Sequence, residues 1–191
     1  MYRQLKDWRR LGWVSSESTL FRLVIHGSKI VQLLTELLHA ELLKAPYLQG
    51  DETVVQVLRE PHNKKATAES RMWVLRTPQT LQRQGIYYAD KPDRTARSGQ
   101  ELYAEFVGVL RCDGYSVYAS VDCRDRVGCL AHVYRKFFEA TKRDHRAKRP
   151  LKILDQMFHL EKQWQTLSSN ERKKLRKQRL APLLKKFVVF G

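Results

Sequence analysis

The hydrophobic periodicity of this 191-residue chain changes at Pro46. After it, residues 47–59 partly alternate between polar and apolar and are rich in Val, which favours a strand. Before it, apolar residues recur at the three- and four-residue spacing of a helix: Ile30, Leu33, Leu34, Leu37, Leu38 and Leu42. We therefore expect an α/β (α+β) fold, a mixed sheet flanked by helices.

Residues 1–45 predict a helical N-terminal segment. Residues 2–11 favour a first helix ended by Gly12, and Ser15 is a candidate cap for a second helix that reaches Val24. A helix, a turn with a glycine and a second helix form the outline of a helix-turn-helix motif. Any helical hairpin has the same outline, so the alternative to DNA binding is that these helices serve only structural packing. The leucine-rich stripe predicts a third helix, whose apolar face is either core or a partner surface.

Residues 46–140 predict a core of alternating strands and helices. Strands are expected at 47–59, 71–76, 85–89, 109–112 and 126–129, helices at 98–107 and 131–140, and a turn at 61–65. Three strands, a helix, a strand, a helix, a strand and a helix is the order of an RNase H-like fold. The helix between the last two strands has no clear counterpart in the sequence.

Residues 141–191 carry most of the net charge of +16, with 15 Lys and Arg against 4 Asp and Glu. A basic block of this kind commonly contacts a polyanion, usually nucleic acid, although a solvated helical face has the same composition. We expect a helix after Pro150 and a capping box formed by Ser168 and Glu171. A basic helix should then run over 171–187, kinked or split at Pro182.

Composition also excludes some classes of protein. No apolar run is long enough for a membrane span, and no signal-peptide pattern follows Met1, so a cytoplasmic location without membrane contact is expected. The three cysteines form no C-x-x-C pair, and their odd number argues against a disulfide framework.

Two aspartates are candidate metal-binding residues. Asp51 belongs to the first predicted strand, and Asp113 directly follows the fourth, before a glycine. In an RNase H-like sheet these strands are neighbours, so the two carboxylates would converge. Carboxylate oxygens are ligands for Mg²⁺ or Mn²⁺, which support phosphodiester chemistry in two-metal sites. The alternative is that both are ordinary turn acids.

Four blocks of sequence occur in an order that resembles the IS66 family of DDE transposases. The blocks are Gly50-Asp51-Glu52-Thr53-Val54-Val55-Gln56-Val57-Leu58, Arg97-Ser98-Gly99, Cys112-Asp113-Gly114-Tyr115, and Arg126-Val127-Gly128-Cys129-Leu130-Ala131-His132 followed by Arg135-Lys136-Phe137. They resemble, in turn, the first-aspartate block, the turn before a helix, the second-aspartate block, and a Cys-x-x-His block with its basic helix. The resemblance covers roughly residues 1–187.

The resemblance implies a fold that cuts and joins DNA. Asp51 and Asp113 would be the first two catalytic and metal-binding carboxylates, with Mg²⁺ or Mn²⁺ as cofactor in the complete site. Cys129 and His132 would be a structural pair. DNA contacts are expected from basic residues of two helices: Arg135, Lys136, Arg172, Lys173, Arg176 and Lys177.

Two parts of the family pattern have no match in this chain. The third carboxylate belongs to an Asn-Asn-x-x-Glu-Arg-like block, and Asn170-Glu171-Arg172 lacks its spacing. The zinc-binding N-terminal region is also unmatched. The chain is therefore expected to be a transposase fragment that is inactive alone, with DNA and other transposase subunits as partners. The alternative is a DNA-binding or subunit-interaction module without catalysis.

Overall fold

The computed structural model describes residues 2–56 and 69–189. The chain forms two compact units, Met1–Val127 and Gly128–Gly191. The first unit contains helices α1 (Tyr2–Arg10), α2 (Glu17–Leu43) and α3 (Ala96–Leu102), and strands β1 (Tyr47–Gln56), β2 (Glu69–Arg76), β3 (Ile86–Lys91) and β4 (Val109–Cys112). Strand β5 (Asp125–Gly128) ends where the second unit begins, and helices α4 (Leu130–Ala140), α5 (Lys148–Gln163), α6 (Ser169–Leu175) and α7 (Ala181–Val188) follow.

The five strands form one mixed sheet in the order β3-β2-β1-β4-β5. Strand β2 is antiparallel to both β1 and β3, whereas β1 and β4 are parallel. The expected mixed sheet flanked by helices is confirmed. The predicted end of the first strand, residues 57–59, and the predicted turn at 61–65 lie outside the described residues.

The core of the first unit lies where the sheet packs against α3 and a 3₁₀ turn at Ser116–Ser120. Trp73, Tyr103 and Tyr118 are its largest fully buried side chains. The ring of Tyr118 meets that of Trp73 edge to face at 5.8 Å and that of Tyr103 at 6.2 Å. This 3₁₀ turn lies between β4 and β5, where no clear helix was predicted from the sequence.

Helix α3 is shorter than predicted. Thr95 caps its start by accepting a hydrogen bond from the Ser98 N–H at 3.3 Å. The helix ends at Leu102 rather than at residue 107, because Glu105 adopts a positive φ of 68°, which a helix does not allow. The predicted span therefore includes a turn that brings buried Phe106 back to the core.

The separate second and third helices of the prediction are one helix, α2, so that prediction is wrong. Its cap is Ser16 rather than Ser15, and the side chain of Ser16 accepts from the Thr19 N–H at 3.1 Å. Gly27 and Ser28 continue the helix, and the Ser28 hydroxyl donates to the carbonyl of Ile25 at 2.8 Å within the same turn. Although α2 has 27 residues, no helix in the described part of the chain is long and apolar enough to cross a membrane.

In the second unit, the start of α6 has the predicted capping box. The Glu171 carboxylate accepts from the Ser168 N–H at 3.0 Å and hydroxyl at 2.6 Å, and the Ser168 oxygen accepts from the Glu171 N–H. These hydrogen bonds hold the pKa of Glu171 below its ordinary value. The predicted break at Pro182 takes the form of a π-helical turn, Arg176–Leu180, before α7.

Candidate functional site

Strands β1 and β4 set the register of the two candidate aspartates. Tyr47 pairs with Val109 and Gln49 pairs with Arg111 in the parallel ladder. The ladder ends at the pair Gln49 and Arg111, two residues before Asp51 on β1 and two residues before Asp113, which directly follows β4. Neighbouring strands lie about 4.8 Å apart, so the two aspartates follow the ends of the same short ladder.

Adjacent acids of β1 have different environments. Asp51 is exposed, and its carboxylate accepts from the N–H of Glu52 at 2.9 Å. The side chain of Glu52 is only 2% exposed, because it follows buried Leu48 and Gly50 on the core face of the strand. Its carboxylate accepts a short hydrogen bond from the hydroxyl of Tyr118.

The guanidinium of Arg94, in the loop after β3, lies between two carboxylates. Its Nη2 forms a close ion pair with Glu52 Oε1 and lies 3.6 Å from Asp113 Oδ2. The Arg94 Cζ atom lies 3.3 Å from the centre of the Tyr115 ring, a cation–π contact. Arg94 is 25% exposed, so this positive charge is partly removed from water.

The turn after β4 fixes Asp113. Its carboxylate accepts from the Tyr115 N–H at 2.9 Å, an Asx-type turn directly before the glycine. One oxygen of Asp113 thus holds the turn and the other faces Arg94.

The hydroxyls of two buried tyrosines of this region, Tyr118 and Tyr103, remain protonated. Burial raises the pKa of Tyr118 far above its ordinary value, and the negative charges around it, including those of Asp113 and Asp51, raise it further. Burial also raises the pKa of Tyr103, to which Asp51 contributes. Tyr118 therefore acts as a hydrogen-bond donor to Glu52.

The two aspartates offer oxygen ligands suited to a hard cation, but only a partial set. Within residues 2–56 and 69–189, no group of three or more His, Cys, Asp and Glu side chains is arranged to hold a metal ion. The third carboxylate of the region, Glu52, is paired with Arg94 and Tyr118. Asp51 and Asp113 remain as the candidate carboxylate ligands of this region.

The predicted structural pair lies at the start of α4, in the second unit. Cys129 is the residue before the helix, and its carbonyl accepts from the His132 N–H at 3.0 Å. The two residues thus belong to one helical turn.

The six predicted DNA-contact residues fall into two groups. Arg172 and Arg176 both form ion pairs with the carboxylate of Glu161, with N···O distances of 3.3 Å and 2.6 Å. These ion pairs, chiefly the one with Arg176, hold the pKa of Glu161 below its ordinary value. The other four, all exposed, are Arg135, Lys136, Lys173 and Lys177.

Sequence reasoning missed three members of the site: Glu52, Arg94 and Tyr118. Strand alternation carried a signal for Glu52, since it shares the face of Leu48 and Gly50. Nothing local marks Arg94, because its partners lie 42 and 19 residues away along the chain.

Comparison with known proteins places the chain in context. The model of a family described as "Transposase IS66 family" matches residues 1–190. Two uncharacterized proteins of Sinorhizobium fredii are similar: y4hP is 27% identical over 95% of this chain, and y4jD is 26% identical over 97%. These matches cover 37% and 39% of the two relatives, so the chain spans less than two fifths of their length. No solved structure matches the chain.

Proposed function

Because the chain belongs to the IS66 family of transposases, we propose that it is the central part of a DDE-type DNA transposase with an RNase H-like core. Asp51 and Asp113 are the first two carboxylates of the catalytic site in this proposal. The observation that supports it is the parallel pairing of β1 and β4 from Tyr47–Val109 to Gln49–Arg111. Continued by two residues along each chain, this register would put Asp51 beside Asp113.

In the proposed site, Asp51 and Asp113 would hold Mg²⁺ or Mn²⁺. When bound, such an ion lowers the pKa of a coordinated water or hydroxyl and offsets the charge that develops on the phosphate. Arg94 neutralises Glu52 and faces Asp113, so it keeps these acids close to each other without strong repulsion. The Asx turn fixes the orientation of Asp113 before any cation binds.

With two carboxylates, we expect weak metal binding and no DNA strand transfer by this chain alone. Calorimetric titration with Mn²⁺ should give a Kd on the order of 1 mM. The substitutions Asp51→Asn and Asp113→Asn together should abolish that binding, because they remove both charges while preserving side-chain size.

The matched control is Asp125→Asn, which removes an exposed acid that is paired with Arg124. It should leave the Mn²⁺ titration unchanged. Equal binding by wild type and the Asp51→Asn/Asp113→Asn variant would remove the metal site from the proposal. The chain would then fit the alternative, a DNA-binding or subunit-interaction module without catalysis.

The second unit supports DNA as the partner. Residues 128–191 contain 17 Lys and Arg against 5 Asp and Glu. Duplex DNA has a dense row of phosphates, and each neutralised phosphate releases counterions. The basic residues free of Glu161 are the better candidates for phosphate contacts, since Arg172 and Arg176 already satisfy a carboxylate.

We expect Lys173→Gln/Lys177→Gln to weaken binding to any duplex sequence. The slope of log K against log salt should fall in magnitude by about 2, because two phosphate contacts are lost. Fluorescence anisotropy over a salt series measures this slope. Lys6→Gln/Lys44→Gln removes the same charge from the first unit, where both lysines are exposed. An equal change in slope for both pairs would mean that the net charge of the chain, not the position of Lys173 and Lys177, determines DNA binding.

A further inference from the structure

Helix α2 has a broad apolar face that is left uncovered within the described part of the chain. Eight of its apolar side chains are between 38% and 68% exposed: Leu23, Val24, Ile30, Val31, Leu33, Leu34, Leu37 and Leu38. Apolar patches of this extent are uncommon on a soluble monomer and usually mark an interaction surface. Apart from Leu42, the leucine stripe predicted from the sequence is therefore not core.

Within the described residues, the contacts that anchor α2 to the first unit are at its C-terminal end. Leu42 belongs to the core, and the His39 ring lies 2.8 Å from the carbonyl oxygen of Leu102 and stacks on Tyr87. Glu41 pairs with Arg83 at 2.6 Å. The apolar face begins before this anchor and runs toward the N-terminus over 16 residues, about 24 Å of helix.

The eight side chains lie on one side of α2 in helical projection. Positions 24, 31 and 38 and positions 27 and 34 form an alternating three- and four-residue seam, and positions 23, 30, 33 and 37 widen it. The remaining surface is mostly polar: Arg22, Ser28, Lys29, Gln32, Thr35 and Glu36. Gly27 has open space around its Cα, which permits close approach of another helix.

We propose that this face binds the same face of a second copy of the chain, with the two α2 helices antiparallel. In the register that places Val31 of one copy against Leu34 of the other, Gly27 meets Leu38. This arrangement has two-fold symmetry, so each contact occurs twice, and the antiparallel helix dipoles attract each other.

The area of this apolar face is large enough for such a dimer. Eight roughly half-exposed Leu, Ile and Val side chains offer apolar area on the order of the 800 Å² per partner that a stable interface buries. The central positions carry no charge, which is typical of the core of an interface. This proposal is independent of the metal site, since it uses none of the residues around Asp51 and Asp113.

Sedimentation equilibrium on the full chain tests the proposal. The wild type should show a reversible monomer–dimer equilibrium. Leu34→Asp should raise the dimer Kd at least about 100-fold, because two charges per dimer lose water in an apolar seam. Ile25→Asp is the matched control, since Ile25 is 56% exposed on the opposite side of the same helix, and its Kd should stay near that of the wild type.

A monomeric wild type at every concentration would overturn the proposal, as would equal effects of Leu34→Asp and Ile25→Asp.

Discussion

Replacing Arg94 with methionine is expected to lower the free energy of unfolding of the first unit by about 3 kcal/mol, since a buried acid loses its charged partner. The side chain of Glu52 is only 2% exposed and forms an ion pair with Arg94. Without the guanidinium, this carboxylate keeps the hydrogen bond from the Tyr118 hydroxyl but loses its positively charged partner. Methionine preserves much of the length of the arginine stem, so the loss reports charge rather than packing.

A single-tryptophan background makes this measurement specific to the first unit. Trp73 lies at the centre of its core, 5.8 Å from the ring of Tyr118. With Trp8, Trp13 and Trp164 replaced by phenylalanine, urea unfolding followed by fluorescence reports on this core. The control is Arg97→Met, because Arg97 is 86% exposed and pairs with exposed Glu101. Its unfolding should stay close to that of the background protein.

A double-mutant cycle with Glu52→Gln separates the pair from its surroundings. If Arg94 acts through Glu52, the double variant should be more stable than the sum of the two single losses predicts, by about 1–3 kcal/mol. Additive losses would show that Arg94 stabilises the fold by its cation–π contact with Tyr115, not by the ion pair. Equal losses for Arg94→Met and Arg97→Met would contradict the prediction outright.

Gly50→Ala is expected to destabilise the first unit by about 3 kcal/mol, at the upper end of the usual cost of overpacking. A Cβ at residue 50 would overlap the Tyr103 hydroxyl and lie 3.2 Å from Tyr103 Cζ and 3.3 Å from Tyr118 Cε1. Both rings are fully buried, so neither has space to withdraw. The substitution therefore forces β1 to shift, together with Asp51 and Glu52.

The matched control for this substitution is Gly114→Ala. Gly114 follows Asp113, and a Cβ there would meet nothing within 4 Å. Its unfolding free energy should change by less than about 0.5 kcal/mol. The same urea experiment, with Trp73 as reporter, measures both variants. If Gly50→Ala unfolds like Gly114→Ala, the packing of Tyr103 against β1 is looser than the structure describes.

Much of the fold was predictable because its signals are local. Strand β4 was predicted with its observed bounds, and the Ser168–Glu171 capping box follows from residues three positions apart. The continuity of α2 was not predictable in this way. A glycine followed by a serine, as at Gly27 and Ser28, occurs both inside helices and in the turns between them. Helix α3 was predicted too long because the positive φ of Glu105 has no signal in its residue type.

The sequence by itself determined the order of the strands along the chain, the change of period at Pro46, the basic C-terminal block and the two aspartates that resemble those of IS66 transposases. Each of these depends on residue type and short-range spacing. Tertiary structure decided which acid of β1 is buried, because alternation says that Asp51 and Glu52 face opposite ways but not which way is inward. It also decided that Arg94 joins Glu52 to Asp113 and that the leucine stripe of α2 is surface except at Leu42, since these depend on how distant segments pack.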